Sequence, residues 1–129
     1  LAIAYYRRGF LYYLAQDYQS AIVDYNKSID LKPDFALAYS NCGYAYRDLY
    51  GEHEALLDWR FAAKLFKEQG NITKYQSTMR SIVFMMIQAA LRECFSKKFA
   101  VFSELFHSSS IEFMVRYGLR LTHPTSTSI

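Results

Sequence analysis

The sequence predicts an all-α fold, a solenoid of helical hairpins with a long C-terminal capping helix and an irregular or short-helix tail. Three observations predict it. Residues 2–35 recur in imperfect form over 36–69, with Ala2/Ala36, Ala4/Ala38, Tyr5/Tyr39, Gly9/Gly43, Tyr12/Tyr46, Ala21/Ala55, Asp24/Asp58 and Leu31/Leu65 in register, and Phe10/Tyr44 and Tyr25/Trp59 as aromatic exchanges. The interval, about 34 residues, is that of stacked units that cannot bury their apolar faces alone. Only 2 prolines and 5 glycines interrupt 129 residues, which favours helices over strands and turns.

Each element has a local reason. The first helix is expected from about Ala2 to Ala15, a turn at Gln16 and Asp17 follows, and Asp17 caps a second helix from about Tyr18 to Leu31. Ala21, Ile22, Tyr25 and Ile29 form its buried stripe. Gly9 and Ala21 are small enough for the two helices to approach closely, with Tyr5, Tyr12 and Tyr25 around the contact. Ser28 and Ala62 are small where a second helix meets the next unit. Pro33 lacks an amide hydrogen and disfavours α geometry in the residue before it, so the second helix ends there and Asp34 is placed to cap the next. The second unit runs from about Asp34 to Leu49, turns at Tyr50 and Gly51, and continues from Glu52 to about Lys67 before Gly70 stops it.

Residues 71–95 read as a capping helix begun by Asn71 and continued through Tyr75, Met79, Ile82, Val83, Met86 and Ile87 to about Cys94. A terminal element of a repeat array covers the last apolar face, and the run Ile82 to Ile87 is apolar enough for burial on two sides or pairing with another chain. From Phe95 onward, into the uncertain extension 96–129, Phe95, Phe99, Phe102 and Phe106 fit one helical face. Ile111, Met114, Val115 and Tyr117 fit another after a break at Ser108 to Ser110, although Phe113, Val115 and Tyr117 also alternate as a short strand would. Thr122 to Ile129 is a polar tail. One reading of so many phenylalanines is a self-association surface in this half, because a cluster of that kind left exposed would aggregate.

On these residues the chain resembles a tetratricopeptide repeat protein. The family pattern is met by Tyr5, Gly9, Tyr12, Ala21, Tyr25, Ser28 and Pro33 in the first unit, and by Tyr39, Gly43, Tyr46, Ala55, Trp59 and Ala62 in the second, where Lys67 replaces the proline. Arg8 and Cys42 stand where the family usually has Leu, and Tyr5 and Tyr39 where it has Trp. The resemblance implies a concave groove lined by the first helix of each unit. Position by position it presents Ile3, Tyr6, Arg7, Phe10, Tyr13 and Leu14, then Leu37, Ser40, Asn41, Tyr44, Arg47 and Asp48. It further implies a scaffold or adaptor that binds a peptide or helix of a partner, with aromatic anchors and two arginines orienting an acidic or carbonyl-bearing segment. The alternative for Phe10 and Tyr44 is that they pack on each other between neighbouring helices. A carboxylate clamp known in some members is absent, since Asn41 holds one of its places but Tyr6 and Phe10 stand where Lys and Asn are needed.

Other functions fare less well. Single-stranded RNA would use Tyr6, Phe10, Tyr13 and Tyr44 to stack bases and Arg7, Arg8 and Arg47 on phosphates. A net charge of +3 argues against it. A third possibility is a non-catalytic recruiting part of a larger enzyme. Asp24 and Asp58 occupy one position of two units, are expected to point to solvent, and do not form an acid/base pair. His53, His107 and His123 make no ligand cluster with Cys42 or Cys94, whose spacing fits reduced core thiols and a cytoplasmic setting. Neither catalysis, a cofactor nor a metal is expected. The longest uncharged run, Ser81 to Leu91, is short of the ~20 residues of a membrane span. Leu1 opens at the edge of a repeat, so further units are expected upstream.

Overall fold

The structure is a computed structural model that describes residues 1–117, without the side chains of 106, 108–115 and 117. Five helices follow one another with no strand among the described residues: α1 (Ala2–Leu14), α2 (Tyr18–Leu31), α3 (Ala36–Leu49), α4 (Glu52–Glu68) and α5 (Ile72–Tyr117). Residues 1–87 form one compact unit, and Gln88 begins a second. The polar tail from Thr122 to Ile129, with His123, lies outside the described residues.

Hairpin one is α1 and α2. The α1 end closes with the amides of Gln16 and Asp17 donating to the carbonyls of Tyr13 and Tyr12, and Gln16 takes the left-handed conformation that this closure requires (φ 63°). Asp17 then accepts from the Ser20 amide at 3.1 Å, so one residue ends one helix and caps the next, as expected. Gly9 is buried at the crossing, where a Cβ would stand 3.0 Å from the Tyr25 ring and 3.2 Å from the Ala21 carbonyl. Ala21, Ile22, Tyr25, Cys42 and Ala45 form the core beneath, flanked by Tyr6, Tyr12, Tyr13 and Tyr46.

Hairpin two repeats the crossing more tightly. A Cβ on Gly43 would lie 2.5 Å from the Trp59 indole, which is itself fixed by donating Nε1–H to the Ser40 carbonyl at 3.0 Å. Gly51 makes the turn at φ 110°, and Gly70 with Asn71 repeats the closure of Gln16 with Asp17. Asn71 caps α5 by accepting from the Lys74 amide at 3.1 Å. Ser28 and Ala62 also close their own hairpins, Ser28 Oγ donating to the Ala2 carbonyl and Ala62 clustering with Ala36.

Two expectations are corrected at helix ends. Asp34 does not cap α3. The Phe35 amide bonds back to the Lys32 carbonyl, so the turn after Pro33 absorbs Asp34 and leaves Phe35 at the N-cap, its ring 5.0 Å from Tyr6. The capping helix does not stop near Cys94 but runs on as α5 through Ser108 to Ser110, and the strand considered over 113–117 is helix. Serine costs a helix interior less than glycine or proline does, and neither of those interrupts this span. Only the first part of α5 acts as a cap, with Ile82 and Met85 buried against Trp59 and Ala63 while Val83, Phe84, Met86 and Ile87 are exposed.

Candidate functional site

Side-chain hydrogen bonds tie the inner helices edge to edge. Asn41 Nδ2 donates to Tyr6 Oη at 3.0 Å and Tyr13 Oη donates to Asp48 Oδ2 at 2.8 Å, joining α1 to α3. Tyr44 Oη and Ser81 Oγ lie 3.1 Å apart and join α3 to α5. Burial raises the Tyr6 phenol, and burial together with Asp48 pushes Tyr13 up to about 12, so both stay protonated at neutral pH, Tyr6 accepting from Asn41 and Tyr13 donating to Asp48. At Asp48 partial burial works against ionisation, but bonds from Arg47 and Tyr13 outweigh it and hold the carboxyl low.

The residues expected in the groove divide into two sets. Ile3, Phe10 and Leu14 are exposed with Arg7 along one face of α1, at the spacing of successive helical turns. Arg7 has neither a hydrogen bond nor an ion pair among the described residues. The others are committed to the fold. Tyr6 and Tyr13 flank the core, Leu37 is half-buried beside Ala36, and Ser40 is buried. Arg47 bonds Asp48 at 2.7 Å and lies 5.3 Å over the Tyr44 ring. Phe10 and Tyr44 do not stack; Tyr44 sets its edge against Trp59 at 4.9 Å, because the core offers that ring a larger partner, and Phe10 stays 42 % exposed.

Asp24 and Asp58 require the main correction. Neither points freely to solvent. Asp24 is 2 % exposed and takes both oxygens to Arg8, at 2.6 and 2.8 Å, which holds its carboxyl below the usual range. Asp58 is half-buried beside Cys42, and burial raises its pKa. Arg8 is thereby removed from any phosphate-binding set. Polar partners across a helical crossing leave no periodic trace, and the only sequence sign was two departures from an apolar pattern, Arg8 and Cys42.

Among the described residues no three His, Cys, Asp or Glu side chains come together, and no helix is long and apolar enough to cross a membrane. Residues 2–35 match the family model of the tetratricopeptide repeat. The chain thus carries a stretch similar to a tetratricopeptide repeat. The match covers hairpin one, and α3 with α4 carries the same crossing geometry. Comparison with curated proteins finds no match. Tetratricopeptide repeats generally mediate protein–protein interaction and are typically non-catalytic. The exposed strip of α1 is thus apolar around Arg7, which has no side-chain partner among the described residues.

Proposed function

We propose that this repeat protein is a non-catalytic interaction module that holds a peptide segment of a partner along the inner face of α1 and α3. The observation that carries it is the exposed strip Ile3, Arg7, Phe10 and Leu14, three apolar side chains around an arginine with no partner of its own. Beside it Asp48 is already satisfied by Arg47 and Tyr13, so the strip favours acidic over basic segments. A display library of random peptides panned on the protein is expected to yield sequences with an acidic residue between apolar ones. Their affinity should fall roughly 30-fold or more in an Arg7→Glu/Phe10→Ala variant of unchanged helicity. Peptides that bind the variant equally well would sink the assignment. A fluorescent single-stranded RNA that bound tightly, with affinity falling steeply in salt, would replace it with nucleic-acid binding.

A second reading is self-association through the phenylalanine-rich end of the chain. Phe95, Phe99 and Phe102 favour it, each exposed by 64 % or more.

A further inference from the structure

The first part of α5 sits where the inner helix of a third hairpin belongs. On the register set by the starts of α3 and α5, Thr78 and Ile82 take the places of Cys42 and Tyr46 and are buried, as Cys42 is, while Tyr46 is half-buried. Two places differ. Met79 stands where Gly9 and Gly43 admit an outer helix, and Met86 with Ile87 stand where Tyr50 and Gly51 turn the chain. Gly51 turns at φ 110°, a conformation that a β-branched isoleucine resists. With no turn residue, α5 continues as helix.

The seat of the missing outer helix remains open. It is a hollow of about 660 Å³ whose lining includes Tyr75, Met79, Arg80, Val83, Phe84 and Ile87. The outer helix itself is also present in the sequence. Carried on the same register, the buried stripe of α4 (Ala55, Trp59, Ala63 and Phe66) falls on Leu91, Phe95, Phe99 and Phe102. All four are exposed. The sequence therefore contains the residues of both halves of a third hairpin, with no glycine or proline between them to make the turn.

We propose that two copies exchange these halves, Leu91, Phe95, Phe99 and Phe102 of each chain seating on the hollow of the other and closing a third hairpin in trans. Exchange of an identical element is a low-cost route to a dimer, and Met79, where the other hairpins have glycine, sets a wider crossing than theirs. The exposed area suffices. Phe84, Phe95, Phe99 and Phe102 are 61–73 % exposed, which at ~200 Å² per aromatic side chain leaves about 500 Å² per chain. Val83, Ile87 and Leu91 bring this toward the ~800 Å² per partner of a standard interface. The proposal rests on the self-association reading and adds the seat and its occupant.

The test is sedimentation equilibrium on the full chain across a micromolar concentration series. Wild type is expected to dimerise. Phe84→Glu in the hollow, and separately Phe95→Glu/Phe99→Glu in the stripe, should each lower the dimer constant roughly 100-fold or more with helicity unchanged. An equimolar mixture of the two variants should then recover a heterodimer, since one hollow and one stripe remain intact and face each other. If both variants are monomeric and their mixture does not pair, self-association stands but the exchange is overturned. A wild-type monomer would overturn both. A dimer insensitive to Phe84→Glu would point to another helix on the hollow and overturn the exchange.

Discussion

Immediately before its crossing glycine, hairpin one carries Arg8 and hairpin two carries Cys42, and each has an aspartate across from it, Asp24 or Asp58. In hairpin one that side of the inner helix is open. The Arg8 side chain is 55 % exposed and keeps water on its far side while forming two short bonds to a carboxylate that has almost none. In hairpin two the same side is covered by α2, with Cys42 Sγ donating to Asn26 Oδ1 at 3.8 Å. No guanidinium fits there, and a thiol raised by burial and by the neighbouring Asp58 stays neutral beside a carboxyl that burial also favours neutral. The repeat thus preserves the sizes of residues at the crossing while the polar pair beside it differs, a charged one in hairpin one and one that burial favours neutral in hairpin two.

The largest expected effect breaks the comparison at the crossing itself. Gly43→Ala should cost about 3 kcal/mol, because the new methyl group meets two atoms of a hydrogen-bonded indole at 2.5 Å and neither can swing aside. Gly9→Ala meets its neighbours at 3.0–3.2 Å. The ~1 kcal/mol gain in helix propensity offsets much of that cost, leaving a net loss of about 1 kcal/mol or less. Urea unfolding of the two variants would measure both; equal losses would mean that the crossings are equivalent after all.

The next effect concerns the aspartates. Asp24→Asn should destabilise the protein at pH 7 by on the order of 2 kcal/mol, since Asn cannot form the doubly charged pair. The Asp24 pKa is lowered in the folded state, so its contribution is present above the unfolded value of ~3.9 and lost as pH falls through the folded one. The variant and wild type should therefore converge toward pH 2. Arg8→Leu, which installs the family's usual residue, should lower the melting temperature more in wild type than in Asp24→Asn, and a double-mutant cycle reads that coupling.

Smallest, and opposite in sign, is Asp58→Asn. Its carboxyl has a raised pKa in the folded state, so the protonated form contributes stability below ~3.9 that is lost as pH rises through the folded value. At pH 7 the substitution should stabilise by about 1 kcal/mol, with the gain vanishing near pH 3. Melting curves at the two pH values check it. A loss at pH 7 would mean that Asp58 is held by a partner as Asp24 is.

Much of this architecture was legible because it depends on residue size and backbone chemistry. The glycines at 9 and 43 stand at the repeat interval, and the caps Asp17 and Asn71 and the stop at Pro33 act through local chemistry. Less was legible of the site. Only pairing in space shows that Arg8 and Arg47 are bound to Asp24 and Asp48 while Arg7 is not. The length of α5 was hidden for a different reason. Three consecutive serines look like a break, but helix ends where a turn residue permits it, and none follows Ile72 until past Tyr117.

Trp59 is the sole tryptophan, 1 % exposed, wedged between Gly43 and the first part of α5. The molecule therefore carries its own optical partition. Indole emission reports only the second hairpin and its lid, whereas the far-ultraviolet helix signal reports every helix. Following the two signals separately during denaturation would show whether the array melts as one body or frays from one end.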